Sequence, residues 1–176
     1  IAEKPKDVAG SVIISTVEGT RPMLLELQAL VSPTSFGIPK RTATGVDYNR
    51  VSLLMAVLEK RVGMQIQNQD VYINVVGGLK VNEPSIDLGI VMSIASSFRN
   101  IPIDGTVAIT GEVGLTGEIR AVSFIEKRIA ECKKLGFTKI VIPKSNYEAV
   151  KDIKDIEICP VDSVRQAINI VLGGNR

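Results

Sequence analysis

From Val71 to Ser97 the chain reads VYINVVGGLKVNEPSIDLGIVMSIASS. The β-branched run Val71-Val76 suits a strand, and because Val75 and Val76 are both apolar, both sheet faces are expected to be covered. Gly77-Gly78 ends it. Pro84 fits a first helical position, with Asn82 or Glu83 as cap. The run Ile86-Phe98 is then apolar almost all round, with Gly89, Ser93 and Ala95 as small residues, the pattern of a central, buried helix. This unit of strand, glycine turn and buried helix also poses the question of chemistry, because Ser85 stands in the helix's first turn. A helix N-terminus offers free N–H groups and partial positive charge to an oxyanion. A first-turn serine also serves purely local hydrogen bonding, so Ser85 reads as nucleophile or as structure.

Upstream, Ser11-Val17 and Met23-Val31 flank Glu18-Gly19-Thr20-Arg21-Pro22 and predict a β-hairpin. Residues 1–10, charged and carrying Pro5 and Gly10, read as a linker or tail, with one domain over 11–176. A turn-rich loop follows at Ser32-Pro39, then a possible strand at Lys40-Val46. Asp47 is placed to cap a helix over Tyr48-Arg61, where Val51, Leu54, Met55 and Leu58 share one face and Gly63 stops it. Downstream, Val107-Ile109 and Glu118-Ile119 are expected as strands around the bend Gly111-Gly114-Gly117. Val122, Ile125, Ile129 and Cys132 mark the buried stripe of a further helix ending at Gly136. Strand Lys139-Ile142, helix Asn146-Val150, strand Ile156-Cys159 and helix Ser163-Leu172 complete an alternation that argues for a parallel or mixed sheet. The fold class is α+β.

Composition narrows the chemistry. The 176 residues carry 21 basic and 19 acidic side chains, 2 cysteines, and neither histidine nor tryptophan. Without histidine there is no Ser-His-Asp or Cys-His arrangement and no imidazole-liganded zinc, so a hydrolase here needs a carboxylate or lysine base. Cys132 and Cys159 form no CxxC pair and suit buried, reduced thiols in a cytoplasmic protein. No apolar run approaches a membrane span and no signal peptide opens the chain, while the start at Ile1 rather than Met suits a piece of something longer. There is no GxxxxGK[ST], and the glycines at 111, 114 and 117 have the wrong spacing and place for a dinucleotide fingerprint. The net charge of +2 makes any nucleic-acid contact a matter of local patches. Pro39-Lys40-Arg41 and Asn49-Arg50 form such a basic stretch, which reads equally as a solvated rim.

Four segments carry a resemblance: VEGTRPMLLELQALV, FGIPKRTATGVDYNRVSLLMAVLEKR, the stretch quoted at the outset, and ITGEVGLTGEIRAV. Together they resemble the C-terminal domain of the bacterial RadA (Sms) family of DNA repair and recombination factors, a domain similar to the proteolytic domain of Lon protease. The resemblance implies a Lon-protease-like α+β fold. It also implies a role within a hexameric ring that acts on single-stranded or branched DNA as an ATP-dependent branch-migration helicase, alongside a RecA-type recombinase. In that family ATP, Mg and Zn belong to upstream domains, so no cofactor or metal is expected in this chain, and no membrane.

Lon proteases pair a serine in Gly-Pro-Ser-Ala-Gly with a lysine in a Gly-Gly-Leu-Lys segment, the lysine serving as base. Here Asn82-Glu83-Pro84-Ser85-Ile86-Asp87 keeps only Pro-Ser, and Asp87 brings the wrong charge to an oxyanion. Counting on from Gly111-Glu112…Gly117, the lysine segment becomes Ser123-Phe124-Ile125-Glu126, so Glu126 is expected at the base position, with Lys127 rotated about 100° away. The expectation is a broken dyad with Ser85 as a relic, and no catalytic residue. DNA-phosphate contacts are expected from Lys40, Arg41 and Arg50, with Arg120 and Arg21 secondary, and Phe36, Ile38 or Phe124 are available to a ring interface. The alternative is an active Lon-type serine peptidase with Ser85 as nucleophile.

Overall fold

The hairpin expected at the start of the chain forms the middle of a seven-stranded mixed sheet. A computed structural model describes residues 8–173. Strand β1 (Ser11–Glu18) pairs antiparallel with β2 (Arg21–Pro33). The second strand outruns its apolar core because it also pairs along its far half with β4 (Gln69–Val75), as far as Pro33 opposite Gln69. Strand β3 (Arg41–Thr44) adds in parallel to β4 at the sheet edge. On the other side, β5 (Val107–Ile109), β8 (Lys139–Pro143) and β9 (Glu157–Val161) add in parallel to β1, giving the order β3-β4-β2-β1-β5-β8-β9. A separate small hairpin joins β6 (Glu112–Val113) and β7 (Ile119–Arg120). Val107-Ile109 is a strand as expected, but it pairs within the main sheet, and the hairpin around the glycine bend is made instead by Glu112-Val113 with Ile119-Arg120.

Helix α1 (Tyr48–Val57) begins on the expected cap, with Asp47 accepting from the Asn49 amide, and continues as a π-helical turn over Leu58–Val62 before Gly63. Pro84–Ile86 is a single 3-10 turn leading into α2 (Asp87–Arg99). Neither Asn82 nor Glu83 caps it through a side chain; the Glu83 carboxylate is engaged elsewhere. Helix α3 (Ile125–Lys134) follows the small hairpin, Lys144–Ala149 forms a 3-10 segment, and α4 (Val164–Leu172) is capped by Ser163. Residues 1–7 of the expected tail, and residues 174–176 at the end of the expected domain, lie outside the described residues. Gly10 is already tied in, its amide donating to Ser96 Oγ (2.9 Å) and its carbonyl accepting from Ala29.

The sheet is covered on both faces, as period-two alternation allows. Val12 and Ile14 of β1 enter the larger core with Leu27, Ile73, Ile109 and helices α1, α2 and α4. Ile13, one residue out of phase, enters a second core with Ala108, Ile140, Ile142 and the α3 residues Ile125, Ile129 and Cys132. Ten consecutive residues of α2, Asp87 to Ser96, are buried, as its all-round apolarity requires. Gly89 lets α2 lie on β1, since a Cβ there would run into Cγ2 of Ile14. The N-terminus of α2 is thereby fixed between β1, the small hairpin and α3. That junction holds Ser85.

Candidate functional site

Ser85 is 3% exposed. Its hydroxyl donates to the Ser15 carbonyl at 3.3 Å, and its own carbonyl accepts from the Gly111 amide at 2.9 Å. From α3 the residue that meets it is Arg128, fully buried, whose Nη1 donates to Ser85 Oγ (3.1 Å) and to the Ser15 carbonyl (2.8 Å). Nε of the same guanidinium donates to the Ser123 carbonyl (2.8 Å), and Nη2 forms an ion pair with Glu83. The second carboxylate oxygen of Glu83 accepts from the Val17 amide at 2.7 Å. One arginine thus ties together β1, the first turn before α2, and the start of α3.

This arrangement corrects the placement of Glu126. Glu126 is exposed, and the position facing Ser85 belongs to Arg128, two residues further along. Helical geometry explains the shift, because Arg128 lies three residues after Ile125 and four before Cys132, on the buried stripe, whereas Glu126 lies about 100° off it. Lys127 also points outward, its Nζ donating to the Thr20 carbonyl and lying 5.5 Å from the Phe124 ring centroid. A guanidinium is never neutral at ordinary pH, so Arg128 has no lone pair with which to take a proton from Ser85. The signal was present in the sequence as an arginine in phase with Ile125, Ile129 and Cys132.

Asp87, fully buried at the first turn of α2, accepts from the Val113 amide (3.1 Å) and forms a two-pronged ion pair with Arg50. Arg50 also donates to the Val113 carbonyl at 3.1 Å. The hydrogen bond that Arg50 donates to Asp87, opposed by partial burial, raises Arg50 above its ordinary value. Arg50 is therefore corrected as a phosphate contact, since its guanidinium is committed to a buried carboxylate. A cleft of about 210 Å³ opens beside it, lined among others by Asp47, Arg50, Glu83, Pro84, Asp87 and Glu112. Asp87 is answered by Arg50 and Glu83 by Arg128, which leaves Asp47 and Glu112 to make the cleft net negative and unfavourable to phosphate. Ser85 does not line it; its hydroxyl is turned to the Ser15 carbonyl of β1.

The remaining basic candidates do not form one patch. Lys40 is exposed at the sheet edge. Arg41, half-buried beside it, caps the Gln69 (2.7 Å) and Ile66 (3.2 Å) carbonyls. Arg120 pairs with Glu118 at 3.0 Å on the small hairpin. Arg21 sits at the opposite end of β2 from Lys40. Arg41 is in register with Val71 and Val71 with Val31, which lies about 33 Å beyond Arg21 at ordinary strand rise. Among the described residues no group of three or more His, Cys, Asp or Glu is placed to hold a metal ion. The two thiols are free; burial, with Glu131 adding to it, pushes Cys132 up to about 12, and burial also raises Cys159, which is only half-buried. Among the described residues no helix is long and apolar enough to cross a membrane.

Residues 48–174 match the family described as the Lon protease (S16) C-terminal proteolytic domain. The chain belongs to that Lon family. Its whole length is also similar to proteins named DNA repair protein RadA. The Bacillus subtilis protein is 56% identical over 174 residues, covering 99% of this chain and 38% of that protein. The Halalkalibacterium halodurans protein is 54% identical over 173 residues, covering 98% and 38%. The Streptococcus pneumoniae protein is 49% identical over 171 residues, covering 97% and 41%. This Lon-type domain therefore spans about two-fifths of the length of the RadA proteins it matches. Within this Lon-type domain, the buried serine at the start of α2 has an arginine against it.

Proposed function

We propose that this Lon-type domain is non-proteolytic and serves ring assembly and DNA binding in a RadA-type repair ATPase and branch-migration helicase. The observation that carries the first half is the Arg128 guanidinium on Ser85 Oγ, in the place where a Lon-type dyad needs a neutral amine. Ser85 is also out of reach of a peptide, and Asp87 already occupies the Val113 amide, a donor near the helix N-terminus. The peptidase alternative therefore lacks base and access.

The DNA half rests on the similarity to DNA repair proteins and on Lys40, whose ammonium lies exposed on the β3 edge beside Arg41. Lys40 is the leading phosphate contact, with Arg41 orienting the edge and Arg120 and Arg21 contributing elsewhere on the surface. Self-association into a ring, contact with a RecA-type recombinase, and ATP, Mg and Zn in other parts of a longer protein complete this reading. Each phosphate contact releases counterions, so losing one makes the negative slope of log K against log salt shallower by about 0.7 on single strands and about 0.9 on duplex. Lys40→Ala is expected to weaken DNA binding and reduce that slope by about one contact, measured by fluorescence anisotropy from low to moderate salt. Unchanged affinity and slope would remove Lys40 from the interface.

A further inference from the structure

The loop between β2 and β3 is built as an arch. Both feet are held by Asp70, whose Oδ1 accepts from the Thr34 hydroxyl (2.9 Å) and from the Lys40 amide (2.7 Å). The Thr34 amide also donates to the Asn68 carbonyl, and the Lys40 carbonyl accepts from the Val71 amide, both at 2.9 Å. At the summit stand Phe36 and Ile38, 90% and 89% exposed, the two most exposed large hydrophobic side chains among the described residues. Between them Gly37 adopts a positive φ of 81°, which turns the chain at the tip. Pro39 then leads directly to Lys40. An aromatic and an aliphatic side chain held in water on pinned feet lose no hydration shell until something covers them.

We propose that Phe36 and Ile38 form a stacking wedge for unpaired nucleobases, with Lys40 holding the adjoining phosphate. This rests on the DNA-binding reading above and names the side chains that would meet the bases. Single-stranded nucleic acid is bound by aromatic rings that stack on bases beside cations that follow the backbone, and apolar wedges of Phe and Ile part base steps. Here ring, wedge and cation fall within five residues of one pinned arch, and the acid that touches it, Asp70, is turned to its feet. A duplex end or branch point would present such bases without the cost of opening a stack.

The chain has no tryptophan, so Phe36→Trp places a single reporter at the summit. Titrated with oligothymidylate, this variant is expected to lose fluorescence as bases stack on the indole. The double variant Phe36→Ser/Ile38→Ser is expected to bind the same labelled oligonucleotide about tenfold more weakly or worse, with its salt slope unchanged because no phosphate contact is lost. Both side chains are solvent-exposed, so thermal melting of these variants should match the native chain. Native affinity in the serine variant together with a flat tryptophan signal would overturn the wedge while leaving DNA binding in place. No binding by the native chain at low salt would overturn both readings. Loss of self-association in the serine variant by sedimentation, with DNA affinity kept, would make the summit an interface between copies and overturn the wedge.

Discussion

Arg128 has no freedom to do anything but hold. Its three nitrogens reach the Ser85 hydroxyl, two backbone carbonyls and the Glu83 carboxylate, so four of the five N–H donors of this buried cation are answered. Glu83 is 21% exposed and lines the cleft, so removing its fully buried partner costs less than the loss of a wholly buried pair, on the order of 1–3 kcal/mol. Arg128→Met is therefore expected to destabilise the domain by about that amount in urea unfolding, with Glu83 left unpaired. A loss below about 1 kcal/mol would mean that the clamp contributes little. Arg128→Lys keeps the charge but not the fork, and is expected to be intermediate and without peptidase activity. An ammonium paired with Glu83 stays protonated, and Ser85 remains covered. The Arg50–Asp87 pair works in the same way on the cleft side of α2, holding the Val113 amide and the small hairpin to the helix.

The elements divide into those that lock this junction and those that leave it for solvent. Helix α2 locks it through its contact with β1 at Gly89. Gly89→Ala is expected to cost about 1–3 kcal/mol by overpacking against Ile14, outweighing alanine's better helix propensity of up to about 1 kcal/mol. A stabilised Gly89→Ala variant in thermal or urea melts would show that the helix can move off the strand. The β2–β3 arch is held instead by a surface carboxylate. The Lys40 amide, then the Thr34 hydroxyl, hold Asp70 below the ordinary aspartate range. With the folded value depressed, the anchor is complete above the unfolded-state value near pH 4 and fades as pH falls through the lower folded-state value. Amide exchange of residues 34–40, corrected for intrinsic rates, is expected to gain protection from pH 3 to pH 5 and to lose that dependence in Asp70→Asn. Equal protection at both pH values would remove Asp70 as the anchor.

Element by element, the sequence was readable where one periodicity ruled. The all-round apolar Ile86-Phe98 run became α2, and the β1–β2 hairpin and Asp47 cap lie where the pattern puts them. It was not readable where tertiary partners decide. Glu112-Val113 forms a strand only because Ile119-Arg120 lies opposite, and Val107-Ile109 joins the large sheet because β1 and β8 flank it. For the site, the serine and its lost motif were visible, and so was the charge at Asp87. Counting along the chain put Glu126 opposite the serine, because a count does not fix helix phase; the buried stripe through Ile125, Ile129 and Cys132 does, and it selects Arg128. Arg50 read as a surface cation because its partner Asp87 lies 37 residues away.

Across the whole molecule, one mixed sheet separates two cores, and the serine junction sits where β1 faces both. In this Lon-type domain the serine at the start of α2 is held by a buried ion-pair clamp, Arg128 with Glu83. The basic residues Lys40, Arg41, Arg120 and Arg21, by contrast, are scattered over edges and loops of the domain and do not line its cleft. The central claim is that Ser85 does no chemistry. The most direct test measures hydrolysis of casein and of a fluorogenic peptide by the native chain and by Ser85→Ala. The account predicts no turnover above buffer by either protein, with both folded to the same extent; turnover by the native chain that Ser85→Ala abolishes would contradict it.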